Sequence, residues 1–318
     1  MKKQVLVSVD RGETRVALLE ATGKPGAAKK ATRSKKAVPA DGYRVAELYF
    51  ERRGARSIVG NIYKGKVDNV LAGLEAAFVD IGLDKNGFLH VDEIVVPGVD
   101  VGRRGRGGKD GGSKITELIK PGQEIVVQVV KDPLKSKGAR LSMELTVAWR
   151  YMVYAPMGEG GGVSRRLDDR ERERLRRETK GLDLRDGGAI IRTAASGAAR
   201  VDFERELQYL FKLHDVLGKR VEETPAPGLV FQEADLSVRV VRDIFSEHFE
   251  RVIVDDPKQH QRLVSFFTRT APELVDRVEL YEDKQPLFEA YGVEKVIDGL
   301  MTRRVDLPSG GYLIIDYA

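Results

Sequence analysis

The sequence contains no cysteine, which excludes disulfides, thiolate chemistry and cysteine-based zinc sites within these 318 residues. It has one tryptophan and four histidines. The histidines, which are His90, His214, His248 and His260, show neither metal-ligand spacing nor the pattern of a catalytic triad. P-loop and dinucleotide-binding glycine motifs are also absent. Several common enzyme classes are therefore excluded.

Long hydrophobic runs are missing as well. No apolar run approaches the roughly 18–20 residues that a membrane-spanning helix needs. The opening "MKKQVLVSVDRGETRVALLE" begins with basic residues, but Asp10, Arg11 and Glu13 interrupt it, unlike a signal peptide. We therefore expect a soluble, cytoplasmic protein.

The composition is that of a folded and mildly basic protein. Hydrophobic residues make up 42% and charged residues 32%, which allows a real core. The net charge of +5 fits an anionic partner without identifying it. Residues 21–40 hold six Lys or Arg and no acid, which indicates a disordered insertion that could also contact nucleic-acid phosphates. The glycine-rich, basic stretch 97–114 is predicted to be a mobile loop.

Hydrophobic patterning divides the chain into segments. "QVLVSVDRGETRVALLE" is typical of a hairpin, and the short β-rich runs of 57–147 predict a barrel or sandwich. Residues 148–226 mix strands with two helices, and Gly218 is expected to cap the second. From 229 onward helices and strands alternate, which indicates an α/β layer. The N-terminal hairpin lacks a core of its own and should join that sheet.

Aromatic and basic side chains within 57–147 suit single-stranded nucleic acid. Oligonucleotide-binding (OB) barrels stack bases on exposed rings and pair phosphates with basic groups. Phe78 in "EAAFVDIG" and Phe88 in "KNGFLHV" are candidates for stacking, and their alternative role is in the core. The basic and aromatic residues in matching strand or loop contexts are Tyr63, Lys64, Lys66 and Lys137.

Two further stretches suit a phosphate. In "GGAIIRTAASG", Arg192 offers a planar fork of donors and Thr193 a hydroxyl, although such a pair also occurs as ordinary surface. The flanking glycines let backbone amides approach a ligand. "GGVSRR" supplies Arg165 and Arg166, either as a solvated turn or as an RNA-facing group.

The stretch "GNIYKGKVDNVLAGLEAAFVDIGLDKNGFLHVDEI" strongly resembles the start of the OB-fold RNA-binding domain in bacterial ribonuclease E/G family endoribonucleases. The resemblance continues through "KGARLSMEL", "GGVSRR", "IIRTAASG", "IVDDPK", "LYEDKQPLFEAYGVEKVI" and "VDLPSGGYLIIDYA". It covers nearly the whole chain in the family's order.

The resemblance implies an α+β multidomain fold with a split RNase H-like α/β subdomain. The expected segments are 1–56 and 227–306 for the RNase H-like subdomain, 57–147 for the OB-fold domain with its loop 97–114, 148–226 for a mixed α/β 5′-sensor subdomain, and 307–318 for the start of a DNase I-like catalytic subdomain.

The resemblance also implies roles for single residues. Phe78 and Phe88 would stack RNA bases while Lys137 pairs with a phosphate. Arg192 and Thr193 would bind a 5′-monophosphate.

Four other residues of the sensor region are affected by the resemblance. Val153 matches another sensor position, and the family position of Arg165 and Arg166 favours an RNA-facing role. The sequence departs from the family at Trp149, where a glycine is usual. Its ring would either crowd the phosphate pocket or add a stacking surface.

For the full-length protein the resemblance implies a Mg²⁺-dependent endoribonuclease of RNA processing and decay that forms a homo-oligomer. Its metal-binding aspartates are expected beyond Ala318, so this stretch should bind RNA and sense the 5′ end without cleaving it. Asp316 is not expected to be a metal ligand, and catalysis by Asp10, Asp255 and Asp256 is not expected either. The alternatives are a non-catalytic RNA-binding regulatory protein and a purely structural α/β protein.

Overall fold

The computed structural model describes residues 2–21, 42–95, 113–158, 160–245, 249–307 and 309–316. The basic segment 21–40 and the glycine-rich loop 97–114 fall almost entirely outside these ranges. The chain forms two units. The split unit comprises Met1–Arg56 and Asp235–Ala318, and the inserted unit comprises Ser57–Ala234.

The regular elements of the described residues have the following bounds. The strands are β1 (Lys2–Val9), β2 (Glu13–Ala21), β3 (Tyr43–Arg52), β4 (Ile62–Leu71), β5 (Ala76–Asp80), β6 (Gly87–His90), β7 (Glu124–Lys131), β8 (Arg140–Ser142), β9 (Val147–Ala148), β10 (Met152–Ala155), β11 (Gly161–Val163), β12 (Gly188–Ile191), β13 (Gly228–Phe231), β14 (Phe249–Val254), β15 (Val278–Leu280), β16 (Arg304–Asp306) and β17 (Tyr312–Ile314). The α-helices are α1 (Ile115–Leu118), α2 (Asp169–Thr179), α3 (Arg200–Glu223), α4 (Leu236–Ile244), α5 (Pro257–Thr270), α6 (Leu287–Ala290) and α7 (Val293–Leu300).

A five-stranded mixed sheet forms the centre of the split unit. Its strand order is β15-β14-β1-β2-β3, with β1 parallel to β14 and antiparallel to β2. Val5, Leu6 and Val7 are all fully buried, so both faces of β1 are covered. The predicted hairpin is confirmed, and its pairing with β14 agrees with the expectation that it joins the later α/β segment. The RNase H-like assignment stays a prediction.

The expectation that Gly218 caps α3 was wrong. Helix α3 runs through Gly218 to Glu223, because its neighbours Leu217 and Val221 pack in the core of the inserted unit, and Gly218 takes no left-handed conformation. The stretch "PLFEAYGVEKVIDGLMTR" forms two short helices, since Gly292 breaks it with a φ of +69°. Within the described residues, strand β17 pairs with β16 in a small hairpin.

The inserted unit contains a closed five-stranded barrel of the OB type. The strands follow the order β4-β5-β6-β8-β7, and β4 also pairs with β7 to close it. Two glycines permit close strand approach: a Cβ on Gly87 would lie 2.4 Å from Leu141, and one on Gly138 would lie 1.9 Å from the carbonyl oxygen of Asn86. The barrel or sandwich predicted for 57–147 is thus a barrel.

The rest of the inserted unit is a four-stranded sheet packed on helices. Its order is β11-β12-β10-β9, and β11 runs parallel to β12. Its core includes Met152, Leu175, Phe203 and Leu210, which join the sheet to α2 and α3. After α3 the chain returns to the barrel, where β13 pairs with β4. Residues 228–231, which the sequence analysis grouped with the RNase H-like part, therefore lie in the inserted unit.

Candidate nucleic-acid interface

Two phenylalanine rings lie beside each other on the outside of the barrel. Phe78 on β5 is directly opposite Phe88 on β6, and their ring centroids are 6.1 Å apart in an edge-to-face arrangement. Their neighbours Ala77, Val79 and Leu89 are fully buried in the barrel core. Because side chains alternate along a strand, both rings point away from that core and are half-buried.

Lys137 lies in an exposed turn that precedes β8. The turn is closed by two backbone hydrogen bonds between Leu134 and Lys137, of 3.1 and 2.9 Å. Two residues later the carbonyl of Ala139 accepts a 2.7 Å hydrogen bond from the amide of Phe88. The turn is thus anchored to the strand that carries Phe88, which brings a cation to the edge of the aromatic pair.

Arg140 was missed by the sequence reasoning. It is the register partner of Phe88 on the parallel strand β8, and its Nη2 donates to Glu93 Oε1 at 3.2 Å. Phe78, Phe88 and Arg140 therefore form one row across three strands of the outer surface. The available signal was the alternation in "KGARLSMEL", where Leu141 is buried and Arg140 is not.

The three candidates on β4 do not join this row. Tyr63 is only 5% exposed and packs in the barrel core, where its hydroxyl accepts a hydrogen bond from Asn61. Lys64 forms a 3.2 Å ion pair with Glu124. Lys66 is exposed and lies opposite Asp80 in the register. A buried ring offers no face to a base, so Tyr63 is left out of the RNA surface proposed below.

The two phosphate candidates from the sequence meet at one edge of the second sheet. Because β11 and β12 are parallel, "GGVSRR" and "IIRTAASG" end side by side, with Val163 opposite Ile191. The hydroxyl oxygens of Ser164 and Thr193 are 2.9 Å apart, within hydrogen-bond distance. Arg165 and Arg166 are the exposed residues of the adjoining turn. The contact of Ser164 between the two segments was not predicted.

Arg192 is tied to the turn between β9 and β10. Its Nη1 donates to the carbonyl of Trp149 at 2.7 Å, and its amide donates to the carbonyl of Tyr151 at 2.7 Å. Val153 is half-buried two residues further along and pairs with Ile190 of β12. The fork of Arg192 thus has one side fixed by the backbone of Trp149.

Glu206 of α3 lies beneath the same turn. Its Oε1 accepts from the backbone amides of Tyr151 at 2.9 Å and Met152 at 2.8 Å. Burial raises the pKa of this carboxyl to about 7, against the two amide hydrogen bonds and the charges of Arg192 and Arg150, which lower it. Sequence reasoning missed Glu206, although it lies three positions after Phe203 on the apolar face of α3.

Residues 146–318, more than half of the chain, match the family model described as "Ribonuclease E/G family". This chain belongs to the Ribonuclease E/G family. It is 38% identical over 317 residues to "Ribonuclease G" of Salmonella typhimurium (strain SL1344), covering 99% of this chain and 60% of that protein. It is 33% identical over 321 residues to "Ribonuclease E" of Haemophilus influenzae, covering 99% of this chain and 31% of that protein. The resemblance found in the sequence is confirmed.

This chain spans 60% of the length of its Ribonuclease G relatives, including "Ribonuclease G" of Escherichia coli (strain K12), to which it is 37% identical over 317 residues. Within the ranges that the structure describes, no helix is long and apolar enough to cross a membrane.

The relatives are named ribonucleases, which makes the surroundings of the acidic side chains in this chain relevant. Asp10 accepts from the amides of Gly12 and Glu13 in the first hairpin, and these bonds hold its pKa below the usual value. Asp255 accepts from the amide of Val9, and Asp256 caps α5. Each of these carboxylates is thus engaged by backbone amides.

The remaining candidates are likewise dispersed. Asp316 pairs with Arg303 of the terminal hairpin. Of the histidines, His260 contacts the carbonyl of Val278 and His90 accepts from the amide of Asp92, while His248 lies outside the described residues. Among the residues described, no group of three or more acidic or histidine side chains could hold a metal ion. The resemblance places its Mg²⁺ site beyond Ala318, and that site stays a prediction.

Proposed function

We propose that this chain is the RNA-binding part of a single-stranded RNA endonuclease of the Ribonuclease E/G type, acting in RNA processing and decay. The observation that carries this proposal is the outward pair of Phe78 and Phe88 on an OB-type barrel, in a chain of that family. Exposed rings on such a barrel give successive bases a surface on which to stack.

Base stacking on this pair supplies affinity that does not depend on sequence. Each stacked base contributes about 1–3 kcal/mol, and every base has a face that can stack. Lys137 and Arg140 lie at the edge of the pair and neutralise backbone phosphates, so binding should weaken as salt increases. We expect the substrate to be single-stranded, since paired bases do not expose their faces to a protein ring.

The second part of the proposal is recognition of a 5′-monophosphate at the edge formed by β11 and β12. Arg192 carries a planar guanidinium fork, one side of which is held by the carbonyl of Trp149, and such a fork suits a phosphate. The hydroxyls of Thr193 and Ser164 bond to each other, so the pair adds one O–H donor, and Arg165 and Arg166 add positive charge from the neighbouring turn. Val153 lies on the adjacent strand and lines the same edge in this proposal.

We assign no cleavage step to this stretch of chain. The family's Mg²⁺ chemistry requires converging carboxylates, whereas Asp10 holds a turn and Asp256 caps a helix. The rival is a non-catalytic RNA-binding regulatory protein, which predicts the same RNA binding by this chain. Oligomerisation and the cytoplasmic location stay predictions.

The test measures binding of the chain to a short single-stranded RNA carrying a 5′-monophosphate or a 5′-hydroxyl. Phe78→Ala or Phe88→Ala should weaken both complexes about 5- to 100-fold, from the stacking energy of one base. Leu74→Ala, which truncates another exposed apolar side chain of the barrel, is the matched control. Unchanged affinity in both phenylalanine variants would refute the barrel surface.

The sensor is tested in the same assay with Arg192→Lys, which keeps the charge but loses the fork. This variant should bind the two RNAs with more nearly equal affinity, whereas Arg170→Ala on the exposed surface of α2 should keep the preference for the monophosphate. A preference that survives Arg192→Lys and Thr193→Val together would contradict the assignment.

A further inference from the structure

Trp149, the single tryptophan of the sequence, stacks on a tyrosine. Its ring centroid lies 4.0 Å from that of Tyr209 on α3, with 32° between the planes. The indole is partly buried against the core of the second sheet, and Tyr209 is 40% exposed. The pair is therefore fixed at its inner side and presents aromatic surface to solvent.

Helix α3 explains why this pair lies at the surface. Phe203, Glu206 and Tyr209 are spaced three positions apart and follow one face of the helix. Their exposure rises from 0% at Phe203 to 6% at Glu206 and 40% at Tyr209. All three contact the turn between β9 and β10: Phe203 meets the ring of Tyr151, Glu206 binds backbone amides of the turn, and Tyr209 stacks on Trp149.

The same turn carries the link to the phosphate candidate. Arg192 Nη1 donates to the carbonyl of Trp149, so covalent geometry keeps the indole within one side-chain length of that guanidinium contact. A nucleotide also joins a phosphate and a flat base at short range. Trp149 therefore joins a guanidinium contact, at its carbonyl, to an aromatic stack, at its ring.

We propose that Trp149 and Tyr209 form a stacking platform for the first base of an RNA whose 5′-monophosphate is bound by Arg192 and Thr193. This inference rests on the proposed 5′-end recognition and adds the nucleobase to it. In this proposal the ring of Trp149, which stacks on Tyr209 of α3, adds stacking surface instead of crowding the phosphate pocket. A flat aromatic pair accepts any base, and purines, which have the larger face, bind more tightly.

The test uses four otherwise identical short RNAs, with a 5′-monophosphate or a 5′-hydroxyl and with adenosine or an abasic residue at the first position. Affinity is measured with a label at the 3′ end, and quenching of tryptophan emission reports contact with Trp149 directly. The wild-type chain should bind the phosphorylated adenosine strand about 5- to 100-fold more tightly than the phosphorylated abasic strand. Only the adenosine strand should quench the emission strongly.

Trp149→Ala should remove the dependence on the first base while keeping the preference for the monophosphate, because the backbone carbonyl that binds Arg192 remains. Trp149→Phe keeps a ring and should restore part of the dependence on the first base. This result would distinguish the loss of the ring from a folding defect in the alanine variant. Tyr209→Ala should weaken the effect, and Tyr312→Ala, at a tyrosine that is 57% exposed in the split unit, is its matched control.

The outcomes distinguish the stacking platform from the 5′-monophosphate recognition on which it rests. A monophosphate preference without any base dependence, or a base dependence unchanged in Trp149→Ala, would overturn the platform alone. Tighter binding of phosphorylated strands by Trp149→Ala would mean that the ring crowds the site, and would also overturn it. A base dependence that requires Trp149 but comes without any phosphate preference would instead overturn the phosphate assignment.

Discussion

Glu206 should make the stability of the inserted unit depend on pH in a direction opposite to that of most carboxylates. Its pKa is about 7 in the folded protein against an ordinary value of 4.5, because the carboxyl is buried in the core beneath the β9–β10 turn. Below pH 4.5 the carboxyl of Glu206 is protonated in both the folded and the unfolded state, so it costs the folded state no stability. As the pH rises toward 7, the unfolded chain loses this proton first, so the folded state becomes less stable.

The size of the effect follows from the two pKa values. At 1.36 kcal/mol per pH unit, an interval from 4.5 to about 7 corresponds to a loss of about 3 kcal/mol, complete above pH 7. Glu206→Gln should abolish this loss. Oε1 accepts from the amides of Tyr151 and Met152, and Oε2 also lies 3.0 Å from the amide of Tyr151. A glutamine whose oxygen takes the place of Oε1 keeps the contact with Met152 and the shorter contact with Tyr151 without a titrating proton.

Urea unfolding at several values between pH 4.5 and pH 8 is the assay, followed by tryptophan emission. Trp149 is the single tryptophan and stacks on the helix that carries Glu206, so it reports on this unit. The comparison between wild type and Glu206→Gln cancels the contributions of other titrating groups. If both proteins show the same pH dependence of the unfolding free energy, the carboxyl is not protonated in the folded state at neutral pH and the reasoning fails.

Three further predictions follow from single contacts. Gly138→Ala would place a Cβ 1.9 Å from the carbonyl oxygen of Asn86, whereas a Cβ on Gly73 meets open space. The melting temperature of Gly138→Ala should therefore be much lower than that of Gly73→Ala, and equal melting temperatures would contradict the close approach. Lys137→Ala should reduce the slope of log affinity against log salt for single-stranded RNA by about 1, and an unchanged slope would show that this lysine contacts no phosphate. Asp256→Ala removes the N-cap of α5 and should lower the unfolding free energy by about 1 kcal/mol in denaturant titrations, whereas Asp256→Asn should retain most of it.

The strands of the barrel could be predicted from the sequence, but the direction of their side chains could not. Phe78 and Phe88 fit an alternating pattern in which either set of positions can face inward. The register decides, because Leu89 and Val79 fill the barrel and their neighbours must then point outward. Arg140 follows from the same register, which joins strands that are far apart in the chain.

At the edge formed by β11 and β12, the residues suited to a phosphate could be predicted from the sequence, but the contacts between them could not. The donor chemistry of Arg192 and Thr193 is visible in the sequence, whereas the bond from Arg192 to Trp149 spans 43 positions and depends on how β10 packs beside β12. Local rules also misled at Gly218, where tertiary packing continues the helix despite a residue that often ends one.

The split unit has a consequence for synthesis on the ribosome. The amide of Val9 bonds to Asp255 across 246 positions of sequence, and β1 finds its parallel partner only when β14 has emerged. At about 5–20 residues per second, roughly 12–50 s separate the two strands during translation. The contiguous Ser57–Ala234 segment can fold in that interval, while the first hairpin waits with an unpaired edge. Slow elongation should therefore favour chaperone capture of the nascent N-terminus. A circular permutation that makes the two halves of the sheet contiguous in sequence should reduce this capture.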